Sequence, residues 1–197
     1  MDQQSFLIIH GLGGSGPDHW QTWLANELKR RNYHVLYPTF PNFDSPNKSV
    51  WLKELSTTLK TISDEDNLTI ITHSLGCLLW LHYASTQIKP IAKQVILVAP
   101  PSPNHILSEA KSFFPVPLDR SHLQKVSEHT LFIHSSNDRY CSIEDSKRFL
   151  NLGLPSITIP NAGHINTQSG HGKWPWILDL CLSQKNLTQY VLEGEGV

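Results

Sequence analysis

The sequence predicts an α/β fold, with about six strands in one mostly parallel sheet and helices on both faces. Three observations carry this. Short apolar, β-branched runs alternate with helical patterns along the whole chain. A length of 197 residues suits one domain, which at this size buries roughly 70% of its unfolded surface. No insertion is left over to form a large lid domain, and there are no internal repeats.

Residues 6–9 are a four-residue apolar run, the length of a buried strand. Residues 18–31 place Trp20, Trp23, Leu24 and Leu28 at helical spacing, with Asp18 as the expected N-cap. A strand over 33–37 follows, then a helix over 50–62 with Val50, Leu52, Leu55, Leu59 and Ile62 as its apolar stripe. A strand over 68–72 runs directly into a helix over 75–85. Further strands are expected at 94–99, 130–134 and 156–159, and helices at 145–152 and 175–182. Residues 100–117 hold five of the 13 prolines and read as an irregular connection with one short helix. The domain is expected to span residues 1–185, with a polar, fraying C-terminal tail over 186–197.

Composition narrows the function classes. Lys plus Arg number 16 against 17 Asp plus Glu, so no basic field favours nucleic acid or an anionic membrane. Cys77, Cys141 and Cys181 are odd in number and widely spaced, which argues against a disulfide framework. The first residues lack a basic region, and no apolar run approaches about 18 residues, so a cytoplasmic protein without a membrane span is expected. His10 and His19 lack metal-ligand spacing and there is no HExxH or CxxC, so neither a metal nor a cofactor is expected.

The most informative segment is Thr72-His73-Ser74-Leu75-Gly76, between a strand and a helix. It resembles the G-x-S-x-G nucleophile elbow of α/β-hydrolases. Such a turn lifts the serine Oγ out of the sheet. The positions two before and two after must be small, because backbones crowd there. Gly76 meets that need; Thr72 departs from the usual glycine, but its narrow side chain still permits the turn. The helix N-terminus favours negative charge at Ser74, and the Leu75 N–H would be one oxyanion-hole donor.

A serine hydroxyl needs a base, and the base needs an orienting acid. Asp138 follows the strand at 130–134, and His164 follows the strand at 156–159, in the chain order Ser, Asp, His. Both fall at strand carboxyl ends, where open α/β sheets bind ligands. Asp145, Glu144 and the weaker Asp119 are fallback acids; His134 and His171 are fallback bases.

The loop Gly11-Leu12-Gly13-Gly14-Ser15-Gly16 admits two readings. It matches the dinucleotide fingerprint G-x-G-x-x-G, but the next strand region, 33–40, has no Asp or Glu to hold a ribose. Pro17 also stands where a P-loop needs Lys. The favoured reading is an oxyanion loop, with the Leu12 N–H facing that of Leu75.

Together these residues resemble a family of small serine hydrolases that includes retinoblastoma-binding protein nine and the bacterial YdeN-like proteins. Three stretches carry the likeness: His10-Gly-Leu-Gly-Gly-Ser-Gly-Pro-Asp-His-Trp-Gln-Thr-Trp23, His73-Ser-Leu-Gly-Cys77, and Gly163-His-Ile-Asn166 with Ser169-Gly-His-Gly-Lys-Trp-Pro175. The resemblance implies a minimal α/β-hydrolase with Ser74 as nucleophile, Asp138 as acid and His164 as base. It also implies that the missing first elbow glycine is unexceptional, and it leaves room for a protein partner.

The expected function is therefore hydrolysis of a small acyl ester, or a related acyl bond, with a small molecule as substrate. His10, His73 and Trp174 are candidate pocket residues, although packing explains Trp174 equally. Cys77 reads as a buried small apolar residue. The alternatives are a binding or scaffold protein on the same fold and a dinucleotide-binding protein using the Gly11 to Gly16 loop.

Overall fold

The computed structural model describes residues 4–63 and 66–183. Six strands form a single sheet: β1 (Gln4–Ile9), β2 (His34–Leu36), β3 (Asn67–His73), β4 (Ala92–Val98), β5 (Ser127–Ser135) and β6 (Ser156–Ile159). Their spatial order is β2-β1-β3-β4-β5-β6, and every pairing is parallel. The chain leaves β1 toward one edge and returns through β3 on the other side of β1. That reversal falls between β1 and β3, and in such sheets ligands bind outside the carboxyl ends of the strands at this point.

Side-chain alternation along the strands divides the core into two layers. Leu7, Ile9, Ile70, Val95, Leu97 and Phe132 face one layer. There they meet α2 (Lys48–Leu59), α3 (Leu75–Ala84), α4 (Arg120–Val126) and α5 (Ile143–Leu150) through Trp51, Leu55, Trp80, Leu123 and Phe149. Phe6, Ile8, Ile71, Ile96, Val98, Leu131 and Ile133 face the other, against α1 (Trp20–Arg30) and α6 (Pro175–Leu182). Each such side chain, fully buried, contributes about 1.5–3 kcal/mol. The helix α3 is buried in this first core layer, so the residue at its N-terminus has a fixed support.

Several local features differ from the sequence-based expectation. The cap of α1 is His19, whose Nδ1 accepts from the Gln21 N–H, while Asp18 is exposed. The helix α2 begins earlier, with Asn47 as its cap, and buries Trp51 with Leu55; Val50, expected in the apolar stripe, is 45% exposed. An unanticipated helix, α4, is capped by Asp119. The short helix expected within residues 100–117 is a 3-10 turn over Ser108–Phe113. The expected tail, 186–197, lies outside the described residues. Among the described residues no helix is long and apolar enough to cross a membrane, and no three His, Cys, Asp or Glu side chains are grouped to hold a metal ion.

Candidate active site

β3 ends at His73 and α3 begins at Leu75, so the whole turn is Ser74. Ser74 takes φ 54° and ψ −124°, a strained conformation for a residue with a Cβ. It is held there by its own N–H, which donates to the Val98 carbonyl at 3.0 Å, and by its carbonyl, which accepts from the Cys77 N–H at 2.9 Å. Close approach of the β1 end explains the glycines. A Cβ on Gly76 would stand 2.7 Å from the carbonyl oxygens of both Ile9 and His10, and one on Gly11 would stand 2.8 Å from the Ser74 Cβ. Thr72 is tolerated because its hydroxyl points into the turn and donates to Cys77 Sγ at 3.0 Å. Burial pushes the Cys77 thiol up to about 12, which suits a packing residue rather than a nucleophile.

β5 and β6 deliver the other two groups. Asp138 lies in the loop after β5, with Oδ1 accepting from the Tyr140 N–H at 2.8 Å. His164 lies in the loop after β6. Its Nδ1 stands 2.8 and 3.0 Å from the two Asp138 oxygens, and its Nε2 stands 2.8 Å from Ser74 Oγ. A carboxylate only accepts, so Nδ1 carries the imidazole proton and Nε2 is left to accept from the Ser74 hydroxyl. Asp138 and His164 are both buried, whereas Ser74 is partly exposed. The geometry thus brings the three predicted residues together in the order that base-assisted nucleophilic attack requires.

The loop that carries Leu12 reaches the elbow that carries Leu75. An added Gly11 Cβ would lie 3.2 Å from the Leu75 nitrogen, which places the loop after β1 directly beside the elbow. Among the described residues neither the Leu12 nor the Leu75 N–H has an acceptor. His10 sets the direction of the first. The Phe40 N–H donates to His10 Nε2 at 2.9 Å, so Nδ1 bears the proton and donates to the Gly11 carbonyl at 2.8 Å. In a planar trans peptide the Leu12 N–H then points away from His10. The glycines lie outside the N-terminus of α1, which starts only at Trp20, so this loop lacks the helix-end phosphate seat of a dinucleotide site.

The three candidate pocket residues are all buried. His10 is enclosed by Phe40, Phe43 and Trp51. His73 is buried and its Nε2–H donates to the His164 carbonyl at 3.0 Å, tying the elbow to the His164 loop. Burial, with His164 and His19 nearby, holds the His73 imidazole well below its ordinary range. Trp174 packs in the core on Trp20, His171 and Trp176. The fallback residues are engaged elsewhere. Asp145 accepts from Ser142 and Asn104, Glu144 pairs with Lys147, and Asp119 caps α4. His134 stacks on Phe132 and Phe149, and His171 lies against Trp174.

Sequence reasoning missed three supports of the His164 loop. Asn137 Oδ1 accepts from the Gly163 N–H at 2.7 Å, and Trp20 Nε1 donates to the Ile165 carbonyl at 2.8 Å. The Tyr140 ring lies 4.5 Å from that of His164. Only the position of Asn137 next to Asp138 could have flagged any of them.

A parallel sheet whose strand order reverses between β1 and β3, and a strained serine on the turn into α3, define an α/β-hydrolase fold. The chain belongs to the serine hydrolase family, whose model matches residues 6–183. The hydrolase YdeN of Bacillus subtilis is 25% identical over 179 residues, which cover 89% of this chain and 93% of that protein. Its crystal structure superposes with a TM-score of 0.78 over 90% of this chain and 96% of its own, at 24% identity. A YdeN-like hydrolase of Pectobacterium atrosepticum gives a TM-score of 0.69 at 20% identity, over 97% and 92% of the two chains. Est1E of Butyrivibrio proteoclasticus, in a structure with ferulic acid bound, gives 0.65 at 16% identity over 98% and 89%.

Proposed function

We propose that this serine hydrolase cleaves small acyl esters through a covalent Ser74 acyl-enzyme. Ser74 Oγ attacks the acyl carbonyl while its proton passes to His164 Nε2. The Leu12 and Leu75 N–H groups receive the oxyanion as the carbon becomes tetrahedral. The carbon–oxygen bond to the alcohol then breaks, and His164 returns the proton to the departing oxygen. Water, activated by the same imidazole, attacks the acyl-enzyme and releases the acid. Asp138 holds the ring and stabilises the imidazolium.

The observation that supports this reading is the hydrogen-bonded chain from Ser74 Oγ through His164 to Asp138, with both links at 2.8 Å. Among the described residues no inserted domain covers the serine, which favours short, soluble acyl substrates over long-chain lipids. Labelling with a fluorophosphonate probe tests it. Wild type should label; Ser74→Ala and His164→Ala should not, and Asp138→Asn should label at least about 10³-fold more slowly. Labelling that survives Ser74→Ala overturns the assignment.

A further inference from the structure

This inference rests on the serine hydrolase reading and adds what holds the base in place. Three residues of the loop carrying His164 take a positive φ: Asn161 at 53°, Gly163 at 56° and Ile165 at 47°. Asparagine and glycine enter this left-handed region at little cost. A β-branched residue does not, because its Cβ crowds the following carbonyl oxygen. Ile165 is therefore a strained position directly beside His164, and such strain persists only where the surroundings enforce it.

The surroundings here are specific. Ile165 is fully buried in the core layer of α1 and α6, and its N–H donates to the Ala162 carbonyl at 3.1 Å. Its own carbonyl accepts from Trp20 Nε1–H at 2.8 Å. The preceding carbonyl, that of His164, accepts from His73 Nε2–H at 3.0 Å. The Trp20 and His73 rings meet edge to face, with centroids 5.7 Å apart. Two consecutive carbonyls are thus gripped by two ring donors that brace each other.

The grip is rooted at the nucleophile. His73 directly precedes Ser74, so adjacent residues are linked twice to His164: His73 to its backbone, Ser74 to its ring at 2.8 Å. Relaxation of Ile165 to a negative φ would turn the peptide that joins it to His164, and the imidazole would move with it. We propose that Trp20 and His73 are positioning residues, which hold Ile165 in its strained conformation and thereby set His164 at Ser74.

Turnover of phenyl acetate, with circular dichroism to confirm folding, tests this. Trp20→Phe keeps a buried ring but loses the Nε1 donor. Its kcat should fall about 10- to 100-fold with little change in KM. Ile165→Gly removes the strain together with a core side chain, so stability falls, but the Trp20 donor is no longer needed. In that background Trp20→Phe should change kcat by less than about threefold. The same loss in both backgrounds would mark a merely structural bond and overturns the proposal. The pair His73→Leu and His73→Gln decides independently if a Trp20 or Ile165 variant does not fold. Leu should lower kcat as Trp20→Phe does, and Gln, whose amide N–H can replace Nε2–H, should restore most of it. Equal losses in the two, or a change in KM alone, overturn the proposal. Turnover that still requires Ser74 in those cases leaves the serine hydrolase reading standing. Absence of Ser74-dependent turnover in wild type would remove that reading, and this one with it.

Discussion

His10 is the residue whose role changed most between sequence and structure. It stands beside the glycine loop, where a ligand-facing side chain is a natural expectation. Its two ring nitrogens are instead both spent on backbone, one accepting from the Phe40 N–H and one donating to the Gly11 carbonyl. The consequence is an aimed Leu12 N–H. His10→Phe keeps a ring of similar size among Phe40, Phe43 and Trp51 but loses the grip on Gly11. Its kcat should fall about 10- to 100-fold with little change in KM, because the oxyanion role proposed for the Leu12 N–H matters mainly in the transition state. Steady-state kinetics on a short ester, with circular dichroism to confirm folding, checks this; a rise in KM alone would instead mark a substrate contact. The meeting of Ser74, Asp138 and His164 was legible because each falls at the carboxyl end of a strand, in a fixed chain order. The contacts of His10, His73 and Trp174 were not legible, because burial and hydrogen-bond direction are properties of the packed molecule. A sequence shows only that a ring lies close to the site.

At the scale of the element, β3, the elbow and α3 form one continuous, largely buried piece. Ser74 is held in its strained conformation because α3 is buried and because the end of β1 presses on Gly76. Gly76→Ala forces a methyl group against two backbone oxygens and should lower stability by about 1–3 kcal/mol, with activity reduced as the elbow shifts. Urea denaturation checks the first effect, and an unchanged midpoint would mean that the strands part freely. This unit was readable from sequence, since a short apolar strand leading straight into a helix through Ser and Gly admits few geometries. The α4 helix was not. It is seven residues long and buries only Leu123 and Val126, too few apolar positions to establish a helical period. The start of β5 was missed for a related reason. Ser127, Glu128 and His129 are polar, and only the pairing of Ala92 with Ser127 and of Gln94 with His129 draws them into the ladder. Trp51 was overlooked because the stripe was drawn through Val50, its exposed neighbour.

For the whole molecule, the two-layer core buries imidazoles in their neutral form, and this ties stability to pH. Burial pushes His19 down to about 4, with His164, His10 and His171 nearby adding to the effect. Burial likewise pushes His134 down to about 4, against a smaller opposing pull from Asp138. In the unfolded chain both protonate near their ordinary 6.5. Between those values the unfolded state binds more protons than the folded state. Stability is therefore fully present above about pH 6.5 and is lost as pH falls toward 4, by roughly 1–3 kcal/mol for each histidine. Unfolding free energies measured from pH 7 downward should follow that slope, and His134→Phe, which keeps the stack on Phe132 and Phe149, should flatten it. A slope of opposite sign would refute the assignment. The same core carries the strands whose ends converge on Ser74, and the central claim is that this serine becomes acylated. The most direct test is mass spectrometry of the protein quenched in acid during turnover of an activated acetate ester. The account predicts one added acetyl group, located on the peptide that contains Ser74 and absent in Ser74→Ala. Turnover without that adduct under rapid quenching, or an adduct on another side chain that persists in Ser74→Ala, would contradict it.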